Sequence, residues 1–548
     1  MKWLTEHSRK YLEKGYLQEW VTPEERIMNI AQRAESILKI DGFANKFYNY
    51  MSEGFYSLSS PVWSNFGTER GLPISCFGSY IDDDMSNILY TAGEVGMMSK
   101  YGGGTSGYFW ALRERGAEIR GNGQSSGSVH FMQLFDKSVD LVSQWSTRRG
   151  SFAGYLPVEH EDINEFLQIR GEGNPIQNML TGVTVTDKWM KEMEKWDIPK
   201  RKIWAKIIQS RSERGLPYIF FTDNVNNNTV DCYTGKHKIY SSNLCTEILL
   251  PTNKHWSFVC NLSSMNLAEY DNWKNTDAIE TMVFFLDAVM TEFIEKIERL
   301  PEQARYFMDR AYKFAVANRA LWVWVLGWHS FLQSKMLPFN SQEAMRLNIE
   351  IFKNLKEKAY SASEILAGMY GEPDVLKGYW RRNTTLIAVA PTTSSAFILW
   401  QVSQSIEPIW SNCYVKDLAK TKVTIKNKEL KKLLKEKNKD DKETWASIRD
   451  NDGSVQHLSF LSSTEKEVFK TFQEINQYVI IDQASDRQKY IDQGQSLNLM
   501  INPSTPTKDV NALYMDAWKQ WIKTLYYQHS VSASQELSRK ITCTWCEA

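Results

Sequence analysis

The feature that constrains this chain most is an alternation. Between about positions 70 and 260, short apolar strand candidates ("GYFWAL", "GVTVTD", "PYIFFT", "SFVCNL") are interleaved with helical stretches such as "VHFMQLFDKSVDLVSQW". That spacing predicts an α/β domain. A helical N-terminal region comes first: Thr22, Pro23 and Glu25 form a capping-box start, and Ile27, Ile30, Ala31, Ala34, Ile37 and Leu38 follow at helical spacing. Residues 275–370 read as mostly helical, and a strand, "TTLIAVA", then runs into the small-residue turn "PTTSSA". The lysine-rich stretch within 416–453 reads as a solvated helix or insertion. Near the C-terminus come a strand candidate, "SLNLMI", and a long helix, "VNALYMDAWKQWIKTLYY", followed by a polar tail. The expected organisation is a helical region at 1–58, an α/β catalytic domain with helical insertions at 59–528, and a mobile tail at 529–548.

Charge and cysteine usage narrow the function classes. The 65 basic and 65 acidic residues cancel, so no overall pull toward nucleic acid or an anionic membrane is implied. There is no long apolar run, and the N-terminus "MKWLTEHSRKYLEKGY" is polar and amphipathic, so a cytoplasmic protein is expected. Seven cysteines, an odd number over a long chain, do not resemble a secreted disulfide framework. In a reducing compartment they would be thiols with chemical uses.

Five short stretches invite a chemical reading. In "SSNLCTEILLP" an extended backbone would turn Cys245 and Glu247 to one face with Asn243 beside them. The alternative is a small buried hydrophobe next to a surface acid. "YGGGTSGYF" holds a G-x-G-x-x-G pattern at Gly102, Gly104 and Gly107, but a helix precedes it and a strand follows, the reverse of a dinucleotide fingerprint. A tight helix-to-strand turn is expected there. "APTTSSA" offers the hydroxyls of Thr392, Thr393, Ser394 and Ser395 and backbone N–H groups at a helix start, a pattern that suits either a phosphate or structural capping. "CTWC" (Cys543, Cys546) has redox spacing, and "LYYQ" places Tyr526 beside Tyr527 at the end of the long helix, for packing or for electron relay.

Nine ordered segments, "SSPVWSN", "SCFGSYIDDD", "ALRERGAEIRG", "NLCTEI", "VCNLSSMNL", "APTTSS", "DQGQSLNL", "LYYQ" and the terminal dithiol, together resemble the large catalytic subunit of class I ribonucleotide reductase. The resemblance implies a ten-stranded α/β barrel of two five-stranded halves, with a central loop that carries the catalytic cysteine. It implies that Cys245 becomes a thiyl radical, that Glu247 and Asn243 act on the sugar, and that Cys76 and Cys260 supply reducing equivalents. Cys543 and Cys546 would renew that pair, drawing on thioredoxin or glutaredoxin. Tyr526 and Tyr527 would end a radical route from a small partner subunit, so no metal or catalytic cofactor is expected on this chain. Ser60, Ser75, Thr392, Thr393, Ser394 and Ser395 would hold a ribonucleoside diphosphate. Asp83, Arg113, Arg120 and Arg149 would serve a deoxynucleotide or ATP effector at a homodimer interface. Too few residues precede "SSP" for an N-terminal ATP cone, so a form lacking one is expected, and Cys232 and Cys413 fall to structural roles. The rivals are a cobalamin-dependent reductase, a glycyl-radical reductase and a non-catalytic nucleotide-binding regulator.

Overall fold

Five strands, Cys76–Tyr80, Gly104–Tyr108, Phe152–Pro157, Leu180–Val185 and Tyr218–Phe221, pair in parallel in that order in the computed structural model, which describes residues 1–142, 150–418 and 421–530. Parallel neighbours need long crossovers, and the chain supplies helices such as Met85–Lys100, Ser128–Leu141 and Ile198–Arg214 between them.

A second set of five runs the other way. Leu262–Asn266 is parallel to Trp322–Leu326, Val323 bridges Ile387, Val389 bridges Gln495, and Leu499–Met500 is parallel to Gln528–His529. The two sets meet antiparallel at both seams. Thr524–Leu525 pairs with the Tyr218–Phe221 strand, and Phe258–Cys260, which leads into Leu262–Asn266, pairs with Cys76–Tyr80. The circuit therefore closes into a barrel of ten strands in two parallel halves, the architecture that the resemblance implies. Tyr56–Leu58 adds an outer antiparallel strand on Leu262–Asn266.

Successive strand residues point to opposite faces, and here the faces differ in kind. Tyr108, Ala153, Tyr155, Leu180 and Tyr218 share an inner cluster with Tyr526 and Leu244. Phe152, Leu156, Val183, Val185, Ile219 and Phe221 look outward into the large core beneath the helices. The N-terminal helices Glu6–Glu13, Pro23–Leu38 and Phe43–Ser52 join that core, and the Thr22–Glu25 capping box forms as the sequence predicts. Arg26, buried on the Pro23–Leu38 helix, donates to the carbonyls of Val62, Trp63 and Phe66 at the end of the Ser60–Asn65 helix. It thereby ties the N-terminal region to the barrel.

Three sequence expectations shift. The strand read at "GYFWAL" lies earlier, at Gly104–Tyr108, directly after the glycine turn that replaces any dinucleotide loop. The long C-terminal helix stops at Lys519, so the tyrosine pair is not on a helix. Trp521 takes a left-handed φ of 64°, and the buried Lys523 ammonium donates to the Asp492 and Gln493 carbonyls at 3.0 Å each, turning the chain back into the barrel. The charged insertion has a core of its own. Leu430, Leu434, Trp445, Ile448, Val468 and Phe469 bury together, and the lysines occupy the outer faces of amphipathic helices. Among the described residues no helix is long and apolar enough to cross a membrane.

Buried charge links the helices behind the second half. Asp287, on the Ala278–Glu298 helix, accepts from Arg319 Nε and Arg382 Nε at 2.9 Å each and from Asn383 Nδ2 at 3.0 Å. Burial opposes its charge, but the two guanidinium groups outweigh that and hold the carboxyl below its usual range. Asp287→Ala leaves Arg319 buried without its carboxylate and is expected to cost about 3–5 kcal/mol, read as a lower urea midpoint. A change below about 1 kcal/mol would mean that water reaches those arginines.

Candidate active site

The interior of a ten-stranded barrel is wider than side chains alone fill, and residues 240–250 pass through it without forming a strand. The extended geometry predicted for Cys245 and Glu247 is therefore replaced by a tight turn. Asn243 N–H donates to the Ile248 carbonyl at 3.3 Å, Thr246 N–H donates to the Asn243 carbonyl at 3.4 Å, and Thr246 has a φ of 71°. Cys245 and Glu247 flank that left-handed residue at the tip.

The turn is held from several sides by polar contacts. Tyr155 donates to the Asn243 carbonyl at 2.9 Å and lies 2.7 Å from the Ser242 hydroxyl. Its ring crosses the neighbouring strand where Gly182 leaves room, since a Cβ there would sit 2.3 Å from a ring carbon. Gly494 N–H donates to the Glu247 carbonyl at 2.8 Å, Gln493 Oε1 accepts the Leu249 N–H at 2.6 Å, and the Ser496 hydroxyl donates to the Cys245 carbonyl. Gly494 lies close beneath the turn, for a Cβ there would stand 3.1 Å from the Glu247 carbonyl oxygen. Sequence reading assigned no role to Tyr155 or Ser496. For Ser496 the signal was available, because "DQGQSLNL" was among the recognisable segments, whereas nothing in "FAGYLP" marks a tyrosine that reaches across the barrel.

Glu247 is fully buried with both oxygens engaged, Oε1 by Asn243 Nδ2 at 2.9 Å and Oε2 by the Ser496 hydroxyl at 2.9 Å. Burial raises its pKa from 4.5 to about 7, while its backbone hydrogen bond, Asn243 and Ser496 pull it down. The carboxyl is thus poised between its two forms near neutral pH. Cys245 is a half-buried thiol that packs with Leu244 against the inner aromatic cluster.

Tyr526 and Tyr527 belong to the same cluster, with ring centroids 4.4 Å apart, and Tyr218 stands 4.8 Å from the first and 5.1 Å from the second. Cys76 is a buried thiol directly opposite Cys260 in the antiparallel ladder, and Gly104 is its parallel partner on the other side. Leu244 of the turn approaches Gly104 so closely that a Cβ there would lie 3.0 Å from Leu244 Cδ2. The row Cys260, Cys76, Gly104 therefore runs beside the loop tip.

Other predicted residues fall into separate groups. Thr392 precedes the short Thr393–Ile398 helix without capping it through its side chain, its hydroxyl instead accepting the Ser405 N–H at 2.7 Å; Thr393 donates to Gln404 Oε1 at 3.0 Å, and Ser394 and Ser395 are half-buried. Ser60 opens its helix with its hydroxyl 3.4 Å from that of Tyr16, and Ser75 is buried with its carbonyl accepting the Gly104 N–H at 2.8 Å. Asp83 and Arg113 form an ion pair at 2.7 Å, while Arg120 is exposed in the same loop as Arg113. Arg149, Cys543 and Cys546 lie outside the described residues.

The titration of Glu247 has a sign that can be checked. The folded chain holds this proton more tightly than the unfolded chain, so the group's stabilising contribution is full below pH 4.5 and is lost as pH rises through about 7. Glu247→Gln stays neutral throughout. Relative to wild type it should gain up to about 3 kcal/mol between pH 4.5 and 8 in urea unfolding. A difference that does not change with pH would show that the carboxyl ionises as freely as in water.

Comparison with known proteins fits this geometry. The ribonucleotide reductase barrel-domain family matches residues 74–198, 194–379 and 374–528. The large subunit of ribonucleoside-diphosphate reductase from invertebrate iridescent virus 3 is 31% identical over 615 aligned positions, covering 96% of this chain and 95% of the relative. The solved structure of the class Id ribonucleotide reductase alpha subunit of Actinobacillus ureae superposes with a TM-score of 0.92 at 53% identity, covering 98% of each chain. With the barrel closed, the loop threaded through it and the match running nearly end to end, the chain belongs to the ribonucleotide reductase large-subunit family.

Proposed function

We propose that this chain is the catalytic subunit of a ribonucleoside-diphosphate reductase and makes 2′-deoxyribonucleoside diphosphates by radical chemistry at Cys245. The observation that carries the reading is one constellation: a half-buried thiol, a buried carboxyl bonded to an amide, and a tyrosine pair, gathered on one loop and the strand end beside it. A carbon-bound hydrogen is too weakly acidic for an ordinary base, so a sulfur radical on Cys245 takes the 3′ hydrogen atom. Glu247 accepts the 3′ hydroxyl proton, and Asn243 orients the sugar. The 2′ hydroxyl leaves as water, Cys76 and Cys260 give up two electrons and two protons in becoming a disulfide, and Cys245 returns its hydrogen to C3′. The net change is one ribonucleotide and two thiols to one deoxyribonucleotide, one water and one disulfide.

The backbone supports the thiol pair. Residues directly opposite in an antiparallel ladder have Cα atoms about 4.5–5.5 Å apart, inside the roughly 4.4–6.8 Å that a disulfide spans. Cys543 and Cys546 then reopen the disulfide by exchange and pass the oxidation to a thioredoxin- or glutaredoxin-type dithiol. Tyr526 and Tyr527 connect Cys245 to a radical-generating small subunit, which relieves this chain of any catalytic cofactor. The names of the relatives, large subunit and alpha subunit, support such a partner. The substrate phosphates take the turn at Thr392, Thr393, Ser394 and Ser395, with Ser60 and Ser75 on the sugar side. Asp83, Arg113, Arg120 and Arg149 receive a nucleotide effector at a homodimer interface, where an arginine fork suits phosphate.

The test is deoxynucleotide formation from a ribonucleoside diphosphate by this chain, its small subunit, an effector and a dithiol. Cys245→Ser and Tyr527→Phe should each lower turnover by about 1,000-fold or more while nucleotide binding persists. Turnover should also fall as pH drops below about 7, because Glu247 acts in its ionised form. Activity that survives Tyr527→Phe, or that requires adenosylcobalamin, would overturn the two-subunit reading.

A further inference from the structure

Tyr526 and Tyr527 also border a cavity of about 530 Å3 whose wall includes Glu407, Trp410, Asn498 and His529. None of the recognisable motifs gives these four a role. Asn498 Nδ2 donates to Glu407 Oε1 at 2.6 Å, and Asn498 Oδ1 accepts the Tyr527 backbone N–H at 3.2 Å. Trp410 is a second hydrogen-bond donor to Glu407, through the one polar atom its side chain has. The Trp410 ring stands edge-on to His529 at 4.6 Å between centroids, and His529 lies 5.5 Å from the Tyr527 ring. The contacts close on themselves: Glu407 to Asn498 to Tyr527 to His529 to Trp410 and back to Glu407.

The residue type at 407 is informative. Glu407 is 5% exposed, and a carboxyl buried in this way is costly unless donors satisfy it. Two N–H donors converge on it, and an ionised carboxylate suits them because it offers two accepting oxygens and no hydrogen of its own. Burial raises its pKa to about 7, with Asn498 and Trp410 pulling it back. Those donors in turn hold the two aromatic groups that flank the cavity.

We propose that Glu407 is a positioning residue of the tyrosine route: by accepting from Asn498 and Trp410 it fixes the Tyr527 backbone and the His529 ring against each other, so that the outer tyrosine meets the cavity in one orientation. The inference rests on the reading of Tyr526 and Tyr527 as a redox pair. Chemistry that depends on the placement of two groups tolerates displacements of only about 0.5 Å, and a shift of about 1 Å costs up to 100-fold.

The test uses the full chain with its small subunit. Glu407→Gln, Trp410→Phe and the double variant are assayed for kcat and KM with a ribonucleoside diphosphate. Radical yield is read by electron paramagnetic resonance on chains carrying the more easily oxidised 3-aminotyrosine in place of Tyr527. Glu407→Gln should lower kcat and radical yield by about tenfold or more with KM within twofold, and the double variant should be no worse than Glu407→Gln alone, because both break one circuit. A kcat within twofold of wild type, an unchanged radical yield, or a loss confined to KM would overturn the proposal. If Glu407→Gln fails to fold, Trp410→Phe and His529→Phe, both at half-buried positions, give the same readouts. Tyr527→Phe separates the two levels. Full activity in that variant sinks the tyrosine route itself, whereas its loss alongside a normal Glu407→Gln sinks only the positioning role.

Discussion

The rest of this structure depends on a polar turn buried inside a barrel. A loop threaded through a protein interior takes backbone N–H and C=O groups away from bulk water, and each one left unpaired costs free energy comparable to a lost hydrogen bond. The turn at 243–248 meets that requirement partly from within, by pairing Asn243 with Ile248, and partly from the walls, through Tyr155, Gln493, Gly494 and Ser496. Those wall residues come from both halves of the barrel, so the turn can be satisfied only once the ring has closed. Cys245 is thereby presented where the two parallel sets face each other. The closeness of Gly104 and Gly494 to the turn follows from the same constraint, since both lie where a side chain would press on the loop.

Closure also explains where the buried charges stand. Glu94 and Arg310 form a buried pair that also takes in Ser79 and Ser257, joining the first strand of one half to the segment that enters the other. Asp287 does the equivalent for the helices behind the second half. Such pairs add little net stability against an apolar alternative, but an unpaired member is strongly penalised, so they disfavour wrong docking of one half on the other. At the seams the ladders themselves are short, two pairs at Thr524–Leu525 and three at Phe258–Cys260. Side-chain networks supply what a longer ladder would have supplied.

The sequence was legible where a local rule decides the structure and illegible where the fold overrides it. The Thr22–Glu25 cap, the alternation of strands and helices and the glycine turn at 102–104 follow from capping, apolar patterning and backbone freedom, all readable within a few residues. The misreadings share one cause. "NLCTEILL" has the apolar content of a strand because almost all of it is buried, yet it forms no strand ladder along its length. "WIKTLYY" continues a helical apolar pattern, but a left-handed Trp521 and an ammonium held by two carbonyls end the helix early. Tyr155 and Ser496 become part of the site only through contacts 88 and 249 positions away, which no spacing rule encodes. Motif resemblance picked out candidate reacting residues, whose identity chemistry limits, and it left out the supporting ones, where several residue types can provide the same hydrogen bond.

The arrangement of the tyrosines follows from that early helix ending. Had the Thr507–Lys519 helix continued, residues 526 and 527 would have stood about 100° apart around a helix axis, one of them turned away from the loop. In an extended segment adjacent side chains point to opposite faces, which by itself would also separate them. One strand ends at Leu525 and the next begins at Gln528, so the two tyrosines occupy the step between ladders. There the Tyr526 backbone donates to the Leu497 carbonyl while the Tyr527 carbonyl accepts from Leu499, both on the neighbouring barrel segment. The step lets both rings reach one cluster, at 4.4 Å from each other and in company with Cys245. A break in regular structure, held by the same barrel segment that supports the loop, is what brings an interior thiol and the wall of a cavity into one aromatic contact path.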